Sequence, residues 1–150
     1  MDLTILAVGR LRSGPENDLV SAYVKRLPWP LRIIEVEERR PILGPERQAR
    51  EADLILAALP ANSLAVMLDE RGKVLSSLSF SEKLTGWRET AKAVTFVIGG
   101  ADGLHEKLRA RADFLLGLGP MTWPHAFVRV MLTEQIYRAS TIMSGHPYHK

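Results

Sequence analysis

The sequence contains no cysteine. That excludes disulfides, thiolate metal sites and a cysteine nucleophile, and it leaves the redox compartment open. No apolar run approaches the roughly 20 residues of a membrane-spanning helix. The first apolar run, residues 3–8, is too short for a signal-peptide core and has no basic residue before it. A cytoplasmic protein with no membrane attachment is therefore expected. No internal repeat, low-complexity tract or linker interrupts the chain, so residues 1–150 are expected to form one domain. Excess charge is scarce too, since 20 Lys and Arg against 17 Asp and Glu leave +3. Such a small excess is an ordinary solvated surface and only permits an anionic partner such as RNA. What remains is the composition of an ordinary soluble domain, with 46% hydrophobic and 25% charged residues in 150. At this length a chain buries about two-thirds of its unfolded surface, so folding needs neither metal nor disulfide.

Hydrophobic runs recur along the chain and alternate in type. Residues 3–8 read as a buried strand stopped by Gly9. Ser13-Gly14-Pro15-Glu16 has the form of a helix start, with Leu19, Val20, Tyr23 and Val24 on one face and a stop before Pro28. Further strands are expected at 31–37, 63–68, 94–98 and 114–118, and further helices at 45–59, 80–87, 105–112 and 125–143. In the helix at 45–59, Ala49, Ala52, Leu56 and Leu59 recur at helical spacing. Five strands alternating with five helices predict an α/β fold with a mostly parallel sheet flanked by helices. Continuous apolar strands fit burial on both faces. Ligands of such sheets bind beyond the carboxyl ends of the strands, which directs attention to the loops after Leu68, Ile98 and Leu118.

The first loop, Asp69-Glu70-Arg71-Gly72-Lys73, reads equally as a solvated turn or as a phosphate contact through Arg71 and Lys73. Ser76 and Ser77 then offer hydroxyls to cap a helix or touch a phosphate. The second, Gly99-Gly100-Ala101-Asp102-Gly103, has three glycines in five residues, which lets backbone press close to a ligand or simply turn tightly. Its spacing is neither G-x-G-x-x-G nor a phosphate loop. In the third, residues 118–125, two prolines hold the backbone extended. Exposed backbone N–H and C=O groups there can read an adenine edge while Met121 and Trp123 wall the ring. Alternatively those two side chains plug the core.

The last helix is apolar over an unusual breadth. His125, Arg129 and Thr133 fall on one polar strip, and Glu134 and Arg138 on another with the favourable i, i+4 order. Apolar residues between the strips predict packing on two sides, the second being another subunit of a two-fold dimer. The tail, Gly145-His146-Pro147-Tyr148-His149-Lys150, is either a frayed terminus or an RNA-facing element, with Tyr148 stacking on a base and His149 and Lys150 meeting phosphate.

Taken in order, several motifs carry a resemblance that runs end to end. They are Ile5-Leu6-Ala7-Val8-Gly9, Leu75-Ser76-Ser77, Phe96-Val97-Ile98-Gly99-Gly100-Ala101-Asp102-Gly103-Leu104, Met121-Thr122-Trp123-Pro124-His125, Arg129-Val130, Glu134-Gln135-Ile136-Tyr137-Arg138-Ala139 and Pro147-Tyr148-His149-Lys150. The ordered set resembles the small SPOUT-class methyltransferases of the RlmH family, which N3-methylate a pseudouridine in large-subunit ribosomal RNA. The resemblance implies a trefoil knot in the C-terminal part, a homodimer, S-adenosylmethionine as cofactor and the assembled ribosome as substrate; no metal is expected. It assigns cofactor contacts to Leu68, Gly99, Leu118, Gly119, Pro120, Met121, Thr122 and Trp123. Gly117-Leu118-Gly119-Pro120 departs from the Ser-rich or Lys-containing versions of relatives, a change that backbone contacts survive.

The implied reaction is in-line transfer of an activated methyl to a ring nitrogen that must lose its proton. Arg138, Tyr148 and His149 are the catalytic candidates, with His149 as proton acceptor and Arg138 and the tail orienting the nucleotide. His125 reads as either a further candidate or a structural residue tied to the backbone. Arg71, Lys73, Arg129 and Lys150 are the RNA-binding candidates. Three alternatives stand beside this reading. One is a SPOUT methyltransferase with another RNA target, and another is a non-enzymatic ribosome-binding module. The third is a Rossmann dinucleotide enzyme, against which the first strand ends Val8-Gly9-Arg10-Leu11.

Overall fold

The computed structural model describes residues 2–91 and 93–150. Among these, strands and helices alternate as β1 (Asp2–Val8), α1 (Pro15–Arg26), β2 (Leu31–Val36), α2 (Gly44–Ala58), β3 (Ser63–Val74), α3 (Ser77–Thr90), β4 (Ala93–Ile98), α4 (Glu106–Arg111), β5 (Phe114–Gly117) and α5 (His125–Ser144). A 3-10 turn, Pro147–His149, follows. The strands form one sheet in the order β2-β1-β4-β3-β5, with every neighbouring pair parallel. Parallel pairing requires each return path to cross a face of the sheet, and the helices supply those crossings.

The two-residue period of a strand sorts its side chains between faces. Leu3, Ile5, Ala7, Val66, Leu68, Val94, Phe96 and Ile98 pack on one face with Phe80 and Leu84 of α3 and Leu132, Ile136 and Ala139 of α5. Leu6, Val8, Ala65, Met67 and Val97 pack on the other with Ala52 and Ile55 of α2 and Leu108 of α4. Phe96 is fully buried, with the Phe80 ring 6.2 Å and the Trp87 ring 6.4 Å away. Truncating such a ring to Ala costs about 3–5 kcal/mol.

Several expectations are corrected. Strand β3 runs to Val74 rather than ending at Leu68, with residues 69–72 thrown out as a wide bulge between the pairs Leu68↔Leu116 and Lys73↔Leu116. The mixed-charge segment is therefore part of a strand. Helix α3 extends over Ser77–Thr90, because Ser76 caps it by accepting from the Ser79 amide at 3.1 Å. Leu19 is exposed while Val20 is buried, since α1 lies on α5 and not directly on the sheet. Helix α5 is covered on both sides by α1 and α3 of its own chain. Two of the three residues of its first expected polar strip are inside, Arg129 being 2% exposed and Thr133 fully buried, while His125 at the helix start is exposed.

Gly145, at φ +72°, ends α5 in the left-handed conformation, and the His146 amide returns to the Thr141 carbonyl at 2.9 Å. This turns the tail back along α5. A frayed terminus is thus not what forms.

Candidate active site

The carboxyl ends of β3, β4 and β5 surround a cavity of about 660 Å³. Its wall includes Leu68, Gly99, Leu118, Gly119, Met121, Thr122 and Trp123, so seven of the eight sequence-assigned cofactor contacts meet there. Pro120 is the exception; it is exposed and outside the lining. Met121 is 73% and Trp123 41% exposed, so neither plugs the core. The prolines on either side hold the segment extended across the opening. His125, a further candidate in the sequence, lines the cavity too, together with residues the sequence did not single out as contacts, among them Ile98, Leu104, Arg109 and Leu116. His125 is exposed at the start of α5, its ring beside Gly9 rather than in the backbone tie expected as one alternative.

The glycine segment is both a turn and a wall. The Gly103 amide donates to the Gly100 carbonyl at 3.1 Å, and Gly100 fits because a Cβ there would lie 2.7 Å from Glu51 Oε1. Glu51 sits almost buried on α2 beneath the loop, with Arg47 Nε 3.4 Å away. Burial pushes its carboxyl up, opposed by Arg47. Gln48 on the same helix donates to the Asp102 carbonyl at 2.8 Å. One helix thus fixes the loop from below.

The bulge of β3 is pinned from the side. Arg109 Nε donates to Asp69 Oδ2 at 2.6 Å, and the Arg71 amide donates to Asp69 Oδ1 at 3.1 Å. Burial opposes ionisation of Asp69, but these two donors outweigh it and hold the carboxyl below its usual range. Where the bulge rejoins β5, Gly72 and Gly117 bring two backbones into contact that no Cβ would permit. Forty residues separate Asp69 from Arg109, so no local pattern marks the pair; the glycines at 72 and 117 were the visible signal.

Arg138 and Tyr148 meet at a different place, between α1 and α5, His149 follows in the 3-10 turn packed on α5, and none of the three lines the cavity of its own chain. Arg138 donates to Glu134 through Nε at 2.9 Å and through its terminal nitrogen. Its guanidinium carbon lies 5.0 Å from the centre of the Tyr148 ring. Tyr148 packs edge-on to Tyr137 at 4.8 Å, and its hydroxyl lies 3.2 Å from Glu134 Oε1 and 3.4 Å from the Tyr23 hydroxyl. Hydrogen bonding with Tyr23, burial and the Glu134 charge push its ionisation well above the ordinary tyrosine range, so this hydroxyl is a neutral donor and not a base. His149 Nδ1 lies 2.8 Å from the His146 carbonyl. A carbonyl only accepts, so Nδ1 is the donor here, and in the neutral ring Nε2 is the nitrogen left to accept.

Of the RNA-binding candidates, Arg71, Lys73 and Lys150 are exposed, with Arg71 3.5 Å from Glu106. Arg129 is not on the surface: its guanidinium donates to the Gly9 carbonyl at 2.6 Å and to Glu35.

A parallel α/β sheet with a ligand cavity beyond its carboxyl ends, walled by a glycine turn and a proline-braced loop, belongs to the class of small-molecule- and cofactor-using enzymes. A family described as "Predicted SPOUT methyltransferase" matches residues 1–149, and the chain belongs to this family. A protein of Rhodospirillum centenum named ribosomal RNA large subunit methyltransferase H is 55% identical, over 100% of this chain and 99% of the relative. One of the same name from Paramagnetospirillum magneticum is 50% identical with the same coverage. A probable methylase family protein from Haemophilus influenzae superimposes with a TM-score of 0.58 at 12% identity, covering 99% of this chain and 70% of that one, a likeness of fold alone.

Proposed function

We propose that this chain methylates N3 of a pseudouridine in the large-subunit RNA of the assembled ribosome, using S-adenosylmethionine, as a homodimer in the cytoplasm. One observation carries the reading. Three loops singled out by sequence converge on one cavity, in a chain 55% identical end to end to a relative named for ribosomal RNA methylation. The cavity falls within the roughly 300–1,000 Å³ of small-molecule sites. Its chemistry fits a nucleoside-bearing donor, with backbone exposed at Gly99 and Gly119 and apolar walls from Leu68, Leu118, Met121 and Trp123. These residues and Thr122 would hold it. When bound, S-adenosylmethionine supplies an activated methyl group on a sulfonium centre.

The remaining work falls to the chain's own side chains. Cavity walls exclude water and fix the direction of approach. The ring nitrogen must lose its proton, and the Nε2 lone pair of His149 is the acceptor. Arg138 and Tyr148 hold the tail that carries it. Because these three lie outside the cavity lining of their own chain, a second copy supplying its tail would complete the site. A dimer would also cover the groove lined by Leu75, Val130, Met131 and the 62%-exposed Val74. Residues 1–150 act as one domain in this reading, and the knot would lie where the C-terminal part passes the close crossing of Gly72 and Gly117.

Nucleoside mass spectrometry of ribosomal RNA from cells lacking the protein provides the test. The expected result is a missing N3-methylpseudouridine that purified protein and S-adenosylmethionine restore on isolated ribosomes. A normal modification map in the deleted strain overturns the function, and restoration of a different methylated nucleotide replaces the target while keeping the donor.

A further inference from the structure

We propose that the loop joining β1 to α1 is a pre-set contact for the phosphate backbone of the RNA, made through Arg10 and Arg12 and held in place by Arg129. This rests on the function proposed above and adds a surface which that reading leaves unassigned.

Position is the first support. β1 lies beside β4, so the chain leaves β1 at the sheet edge that carries the cavity. A Cβ on Gly9 would lie 3.8 Å from the ring of His125, itself part of the cavity wall. The loop therefore begins at the cavity's rim.

Charge is the second. Arg10 and Arg12 are exposed, and among the described residues neither is ion-paired. Other arginines at this end already face a carboxylate: Arg40 with Glu38, Arg71 with Glu106, and Arg109 with Asp69. The cavity itself is lined by Asp69, Glu70 and Asp102 against Arg109, which repels phosphate. Exposed Arg39, on the loop after the neighbouring strand β2, extends the basic side. Opposing carboxylates are Glu37 beside Arg39 and Glu16 and Asp18 in the first turn of α1. Glu35 also feels Arg10, but its carboxylate is engaged elsewhere.

Pre-organisation is the third. Arg129 NH2 donates to the Gly9 carbonyl at 2.6 Å, and NH1 donates to Glu35 Oε2. The same oxygen accepts from the Leu11 amide at 2.7 Å, and the Gly9 amide donates to the Val36 carbonyl at 2.8 Å. Backbone groups of Gly9 and Leu11 are thus tied on both sides of Arg10. Meanwhile Arg129 Nε is buried without a partner. An ion pair buried on the arginine side only, with an orphaned donor, is a poor source of stability compared with apolar packing, but a good geometric clamp. Holding the loop lowers the ordering cost when its arginines bind. Arg129 is accordingly a positioning residue.

The test uses ribosomes from the deleted strain and the full-length protein, with affinity measured across a KCl series and S-adenosylhomocysteine affinity measured separately by calorimetry. Arg10→Ala/Arg12→Ala should reduce the slope of log K against log [KCl] by about two, about one per phosphate contact. Its S-adenosylhomocysteine affinity should stay within about twofold of the parent, since neither arginine lines the cavity. Glu35→Gln raises the net charge by one, so charge alone would tighten RNA binding, whereas a loosened loop weakens it. Glu35→Gln/Arg129→Met keeps the net charge and leaves no unpaired buried ion; it too should weaken ribosome binding, with folding checked by melting. An unchanged slope in the arginine double variant overturns the contact. Ribosome affinity at or above the parent's in either folded clamp variant overturns the positioning role. If the unmodified protein itself neither binds nor methylates ribosomes, the proposed function fails first.

Discussion

Replacing Gly72 by Ala would put a Cβ 2.5 Å from the carbonyl carbon of Leu116, 2.6 Å from the Gly117 nitrogen and 2.8 Å from the Leu116 nitrogen. Comfortable carbon contacts begin near about 3.5 Å, so one backbone must retreat by about 1 Å. All three obstacles are backbone atoms, and no rotamer change relieves them. The strain falls on the pairs Lys73↔Leu116 and Val74↔Gly117, the far end of the β3–β5 ladder. Overpacking costs about 1–3 kcal/mol, and rigid neighbours place this case near 3. For a chain of this size 1 kcal/mol corresponds to about 2–4 °C, so Tm should fall by about 6–12 °C. Asp69, Glu70, Leu116 and Leu118 line the cavity on either side of this crossing, so S-adenosylhomocysteine affinity should fall as well. Gly86→Ala is the matched control, because a Cβ there has nothing within 4 Å and the site is inside α3. That change should stabilise by about 0.5–1 kcal/mol. Calorimetric melting and ligand titration of both variants decide the matter. A Gly72→Ala protein that melts within about 2 °C of the parent with undiminished affinity refutes the crossing.

Glu38 is held from the ordinary 4.5 down to about 2, chiefly by the Arg40 side chain and then by the Arg40 amide. A carboxyl depressed in the folded state adds stability above its unfolded value and loses it as pH falls toward the folded one. Urea midpoints should therefore drop between pH 4.5 and 2, and Glu38→Gln should flatten that limb. Arg129→Met removes the buried partner of a half-buried pair; because Glu35 keeps 32% exposure, the loss should be about 2 kcal/mol rather than the about 3–5 of a sealed pair, as denaturant unfolding will show. His149→Ala should slow single-turnover methylation at saturating ribosomes by about 100-fold or more, and an unchanged rate removes His149 as the proton acceptor.

Most elements were legible because each carries its own period or cap. The apolar run of β1, the β-branched β2 and the Pro-opened α1 and α5 need no distant partner to be read. The misread elements depended on distant residues. Strand β3 was cut short because Asp69-Glu70-Arg71-Gly72 looks like a solvated turn, and only pairing with β5 makes Lys73 and Val74 a strand. Arg129 reads as a surface residue in the helical pattern, since nothing local announces Glu35, 94 positions away, as its partner. The cofactor loops, His125 at the end of the third included, were found through the rule of strand ends and the resemblance, whereas Arg109 reached the cavity by docking of its helix.

The amino-acid order alone determined the alternation of strands and helices, the two-faced burial of the central strands and the three loops that wall the cavity. These follow from side-chain period, proline and glycine geometry and the exclusion of apolar surface from water, all of which act over a few residues. Tertiary structure decided the rest: the crossing at Gly72 and Gly117, the pinning of Asp69 by Arg109, the clamp on Gly9, and the distance between tail and cavity. Such features need groups far apart in the chain to meet at hydrogen-bond or van der Waals distance, and only the packed sheet and its helices bring them there.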